Sequence, residues 1–242
     1  MAENEIIKHA QKAFSIMKSP GKDIRHKLGE ILIEILIIVI AVTISIWVHN
    51  WNEKRNEKRE ETAFLTGLKK DLQCDIENIT SSRNFYASTL QGISYFLKAG
   101  SVQTINLDSI NKYSDCFFSS TDLDPHIARY EALKSSGRFI IIENKELLND
   151  IIELHESTIK RIEELNVRYD RHTQQIASLI SQNAILGKSG QVTNSASMLG
   201  RSDLRILMST SWGLIANNII PIHKTGISKC QGIISRIDQE LK

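Results

Sequence analysis

The sequence predicts an all-α fold: one transmembrane helix continuing into a helical stalk, followed by an antiparallel helical bundle. Three observations predict it. Residues 31–48 read ILIEILIIVIAVTISIWV, with Glu34 as the one ionisable side chain. Only 3 prolines and 12 glycines occur in 242 residues, while Leu, Ile, Glu and Lys are abundant. Beyond the apolar run, hydrophobic residues recur at helical spacing to the end of the chain.

A helix rises 1.5 Å per residue, so residues 28–50 suffice to cross a hydrocarbon core of about 30 Å. Trp47 and Trp51 stand at the downstream end, where indoles favour the membrane interface, and Arg25 and Lys27 stand at the upstream end. A cleaved signal peptide would have a shorter apolar core ending in small residues; this run ends Ser45-Ile46-Trp47-Val48-His49-Asn50. Lysine and arginine are evenly matched on the two sides, so charge alone leaves the orientation open. Large domains translocate largely regardless of charge, which favours a short N-terminal tail in the cytoplasm and an exported C-terminal part.

Residues 1–27 form a basic tail. Ile6, Ile7, Ala10, Phe14 and Met17 share helical spacing, which fits an amphipathic helix on the membrane surface; a frayed tail is the alternative. Residues 51–99 continue the span as a stalk, densely charged at first. They then carry the apolar stripes Leu65, Leu68, Leu72, Ile76, Ile79 and Tyr86, Leu90, Ile93, Leu97. Residues 100–242 are expected to be the bundle. A loop with a short helix at 107–113 precedes a helix at 126–136, and residues 138–142 read as a short extended piece. Asn144 is a candidate N-cap for a long helix from Lys145 to about Leu186, closed by Gly187. Its seam runs Leu148, Ile151, His155, Thr158, Ile162, Leu165, Tyr169, His172, Ile176, Leu179. Residues 187–202 read as a flexible loop. A last helical region starts near Asp203, is interrupted at Pro221, and ends in the seam Ile227, Cys230, Ile234, Ile237, Leu241.

A net charge of +2 argues against a nucleic-acid partner. Cys74, Cys116 and Cys230 are isolated and give neither a disulfide framework nor a metal knuckle. No cofactor is expected. Gly187-Lys188-Ser189 lacks the first glycine of a phosphate loop, and His155-Glu156 lacks the second histidine of a zinc protease. Arg168 and His172 resemble the arginine-to-histidine motif of helical ribonucleases, one residue short. His155, Tyr169 and His172 share one helical seam and read more simply as polar layers in a bundle core. Within the span, Glu30, Glu34, Ala41 and Ser45 lie on one face. A carboxylate there costs a few kcal/mol at mid-bilayer and less near the edge, while the small residues permit close helix approach. That face is the candidate helix–helix contact.

Two segments carry a family resemblance. The first is Gly29-Glu30-Ile31-Leu32-Ile33-Glu34, the span, and then His49-Asn50-Trp51-Asn52-Glu53-Lys54-Arg55. The second is Arg129-Tyr130-Glu131-Ala132-Leu133-Lys134-Ser135-Ser136-Gly137 with Asn144-Lys145-Glu146-Leu147 after it. The chain resembles an uncharacterised family of single-span membrane proteins of Gram-negative bacteria, with a span ending in an N-N-W-N-E-like motif and a downstream Y-x-x-L-x-S-S-G turn. His49 replaces the first asparagine. The resemblance implies architecture and residence in the inner membrane, with no reaction attached. The expected role is a membrane-anchored scaffold, sensor or subunit of an envelope complex, with the lipid bilayer and a second copy or another membrane protein as partners. The alternatives are a homo-oligomeric pore-like effector and a helical nuclease.

Overall fold

The computed structural model describes residues 24–99, 112–188 and 192–242, with side chains from residue 28 onward. Of the tail expected at 1–27, residues 1–23 lie outside the described residues, as do most of the helix expected at 107–113 and the side chains of Arg25 and Lys27. Among the described residues the chain is all-α: its one β feature is an isolated bridge, Leu186 to Val192. Contacts divide the chain into two units, Met1–Glu60 and Glu61–Lys242. Helix α1 (Ile24–Ala99) contributes to both.

In the first unit, residues 28–60 of α1 have no buried position, and every residue from 39 to 60 is exposed. Backbone hydrogen bonds are satisfied within the helix itself. That is the condition for a lone helix to enter hydrocarbon.

The second unit is built on a seven-residue repeat. Apart from Gly92, buried positions in α1 are 61, 65, 68, 72, 75, 79, 82, 86, 89, 93 and 96, alternating steps of four and three. This 3.5-residue period keeps one seam facing its neighbours, as in knobs-into-holes packing. One position of the repeat holds Leu65, Leu72, Ile79, Tyr86 and Ile93. The other holds Glu61, Leu68, Asp75, Ser82, Thr89 and Phe96.

After a 3₁₀ turn (Ser114–Phe117), α2 (Ala128–Ser135) and a second 3₁₀ turn (Arg138–Ile141), two rods complete the core. The first is α3 (Lys145–Glu153), a π stretch (Leu154–Ile159) and α4 (Lys160–Asn183). The short α5 (Ser195–Leu199) leads to the second: α6 (Ser202–Leu214), a π stretch (Ile215–Ile219) and α7 (Ile220–Glu240). One apolar cluster joins Leu65, Leu68 and Leu72 to Leu147, Ile151 and Leu154 and to Cys230, Ile233 and Ile237. The other joins Tyr86, Ile93 and Phe96 to Leu165, Tyr169 and Ile176 and to Leu204, Met208 and Leu214. Residue numbers therefore rise together along α1 and α3–α4 and fall along α6–α7. Two rods run parallel and the third antiparallel.

Local chemistry sets the joints. The side chain of Asn144 accepts from the N–H groups of Glu146 and Leu147 at 3.1 and 3.0 Å, satisfying two orphan donors of α3. The hydroxyls of Ser135 and Ser136 donate to Glu131 O and Leu133 O as α2 ends. Gly137 then takes φ 67°, the left-handed conformation that glycine adopts without penalty. Pro221 does not break the last rod. It sits at the second residue of α7, directly after a π stretch where the regular ladder is already interrupted.

Three local expectations are corrected. Residues 138–141 form a 3₁₀ turn rather than an extended piece, because no neighbouring strand is there to pair with them. The long helix stops at Asn183, before Gly187, because Asn194 clamps the chain: its Oδ1 accepts from Ile185 N–H at 2.8 Å and its Nδ2 donates to Asn183 O at 2.7 Å. Within the expected loop 187–202 lies α5, ordered by burial of Met198 and Leu199 in the core.

Candidate functional site

Sequence patterning singles out two regions, one in each unit. In the first, Glu30 and Glu34 are half-buried, while Ala41 and Ser45 one and two turns beyond Ile38 are exposed. Thr43 hides its hydroxyl by donating to Val39 O at 2.7 Å, so a polar residue of this apolar stretch needs no outside partner. Trp47 and Trp51 are 67% and 56% exposed, and the Arg55 guanidinium lies over the Trp51 ring at 5.8 Å. The stretch from Leu28 is long and apolar enough to cross a membrane by length and composition, and almost none of its most apolar window is buried.

In the second unit, polar side chains on the three rods meet in layers. At the first layer, His155 is buried within the π stretch. Its Nδ1 lies 2.8 Å from Ile151 O, an acceptor only, so Nδ1 carries the proton and Nε2 is left without a partner. The ring stacks on Tyr130 at 4.2 Å, and burial lowers its pKa, which keeps it neutral. The Tyr130 hydroxyl donates to Glu156 Oε1 at 2.8 Å, while Lys134 and Lys160 also hold Glu156. Those three hydrogen bonds depress the Glu156 carboxyl to about 2.

The next layer repeats the device. His223 Nδ1 donates to Ile219 O at 2.7 Å, so its Nε2 accepts from the Ser82 hydroxyl at 3.1 Å. Tyr86 packs edge-on to His223 and to Tyr169, and its hydroxyl donates to Asn166 Oδ1 at 3.0 Å. Above it, the Tyr169 hydroxyl donates to Cys116 O at 3.2 Å, and burial pushes its pKa up to about 12. His172 stands apart from this column. It is half-buried, its Nδ1 is 3.1 Å from Ser211 Oγ, and burial followed by the Arg168 charge lowers its pKa. Of the three residues named from one seam, the fold brings His155 and Tyr169 into the core and leaves His172 at its edge, because the seam slips by one to Thr173 and Ile180.

Sequence reasoning missed the α1 side of these layers. Asp75, Ser82 and Thr89 fall among the apolar residues of the stripes and were not singled out. The signal was their seven-residue spacing. It also missed Asp75 Oδ1 accepting from the His126 N–H and meeting its ring Nδ1, both at 2.9 Å. Among the described residues, no group of His, Cys, Asp and Glu is arranged to hold a metal ion. All three cysteines are free, Cys74 exposed and Cys116 and Cys230 buried. Burial pushes both buried thiols up to about 12.

A family of unknown function, DUF6090, matches residues 34–212, most of the chain. The protein is a DUF6090 member. No curated protein and no solved structure matches it. The DUF6090 match takes in most of the exposed apolar stretch, the Tyr130–Glu156 contact and the first π stretch; the second π stretch and all of α7 lie beyond it.

Proposed function

We propose that this DUF6090 protein is a membrane-anchored helical protein that works through protein–protein contacts, as a scaffold, sensor or subunit of an envelope complex. One observation carries the reading. Residues 28–48 of α1 form an apolar helix with no buried residue, whereas the helices of the second unit bury theirs. Water does not tolerate a helix that is greasy on every face, and lipid does. In the proposed arrangement residues 28–50 cross the inner membrane, the N-terminus stays in the cytoplasm, and residues 61–242 stand in the periplasm. The face of Glu30, Glu34, Ala41 and Ser45 meets a second copy or another membrane protein. The neutral, hydrogen-bonded histidines of the core are structural layers in this reading, and no chemistry is assigned to them.

The test is fractionation of the full-length chain, with reporter fusions at both ends and mass measurement in detergent. The expected outcome is retention in carbonate-washed membranes and a mass above that of one chain, or a copurifying protein. A soluble product defeats the anchor; a solitary monomer without a partner defeats the contact role.

A further inference from the structure

Between the first 3₁₀ turn and α2, residues 119–127 cross the second unit without regular structure. They are held to one face of α1, where Asp71, Asp75 and Asn78 follow at helical spacing. Asn78 Nδ2 donates to Asp124 O at 3.2 Å, His126 takes Asp75, and Arg129 Nε donates to Asp71 Oδ2 at 2.8 Å. Asp75 differs from the other two contacts. It occupies a core position of the seven-residue repeat and is 1% exposed. Oδ1 receives both contacts from His126, and Oδ2 has no partner. A buried carboxylate costs several kcal/mol unless a countercharge and hydrogen bonds offset its lost hydration.

We propose that residues 119–127 are a pH-sensitive latch, closed by the His126–Asp75 pair and loosened as the pH rises. The other groups around the pair cannot replace the imidazolium. On α1, Asp71 is engaged by Arg129; on the strap, Asp124 is an anion and favours a charged ring. On the π stretch, His155 commits its Nδ1 proton to Ile151 O and is kept neutral, and on α7 the Cys230 thiol is protonated. Glu131 and Glu156 add only negative charge from the His155 side. His126 itself is half-exposed, so water reaches the ring while its partner stays dry.

The sign follows from the hydrogen bond to Asp75, the largest cause of the raised His126 pKa. A raised imidazole pKa adds stability that is complete below the ordinary value of about 6.5 and is lost as pH rises through the folded value. Loosening the strap lifts Leu123 from the core cluster it packs against. The latch therefore couples proton release to exposure of apolar surface on the bundle, whether or not the chain is anchored in lipid.

The experiment is hydrogen–deuterium exchange of the full-length chain in detergent from pH 5.5 to 8.5, corrected for intrinsic exchange. Amides of residues 119–127 are expected to exchange roughly fivefold faster at the upper end, the scale of one partly exposed ion pair, while those of α4 hold steady. His126→Gln, at a half-exposed position that folding tolerates, abolishes the pH dependence. Asp124→Asn, which keeps the clasp, retains it. A wild-type strap whose corrected exchange is flat across this range overturns the latch, and so does a His126→Gln protein that keeps the full dependence.

Discussion

From residue 28 to residue 48, α1 presents apolar residues on every face, with Glu30, Glu34, Thr43 and Ser45 as its polar side chains, and no residue is buried. From residue 61 to residue 96 the same helix is buried along a 3.5-residue seam, and that seam includes the polar side chains of Glu61, Asp75, Ser82 and Thr89. The contrast separates two ways of stabilising one secondary structure. In the first stretch hydrophobicity has no direction, which suits a solvent that is itself apolar. In the second it is directional, and polar groups on the seam find partners on the other two rods, Tyr86 on Asn166 and Ser82 on His223, or on the connecting segments, as Asp75 does on His126. Hydropathy alone locates the first stretch; the second is located by spacing.

The strongest way to break this contrast is to give the first stretch a charge. Ile37→Arg with Ile40→Arg adds about 5–7 kcal/mol to the cost of a mid-bilayer helix. Most of the chain is expected to leave carbonate-washed membranes, while the unfolding midpoint of the bundle, followed by near-ultraviolet circular dichroism, is unchanged. Next in size is the converse substitution. Tyr86→Ala removes a fully buried ring that packs on Phe85, Tyr169 and His223. It is expected to cost about 3–5 kcal/mol and to lower the bundle's midpoint by roughly 10 °C. Trp47→Ala, the exposed aromatic of the first stretch, should leave that midpoint where it was. Smallest is a pH effect on the bundle surface. Glu156 is depressed to about 2 by Lys134, Lys160 and Tyr130, so its contribution is present above the ordinary carboxyl value and is lost as pH falls from about 4.5 through 2. The thermal midpoint of the wild type should decline more steeply across that window than that of Glu156→Gln.

The all-α class and the apolar stretch were legible because both are properties of composition and uninterrupted runs. The Asn144 cap was legible because capping is local. The α3–α4 seam was readable from Leu148 to Tyr169, then slipped: the structure buries Thr173 and Ile180 where the pattern pointed to His172 and Leu179. A similar slip affects α7, which buries Ile233 rather than Ile234 and leaves Leu241 exposed. What stayed illegible depends on distant partners. Asn183 ends α4 because Asn194 reaches back to it, and α5 exists because the core accepts Met198 and Leu199. Asp75 looks like a solvent-facing acid until the chain returns 51 residues later with His126.

The alternation of leucine-like and hydrogen-bonding positions along α1 has a consequence for assembly errors. Leucines are interchangeable, so a rod sliding by one repeat would still find oily neighbours. It would, however, bring Ile79 or Ile93 opposite Asn166 and leave that amide stranded in a dry interior, a loss of about 1–3 kcal/mol before any other mismatch is counted. The unlike pairs thus act as a vernier, permitting one alignment of the three rods and discouraging exchange of a rod with a neighbouring molecule at any other.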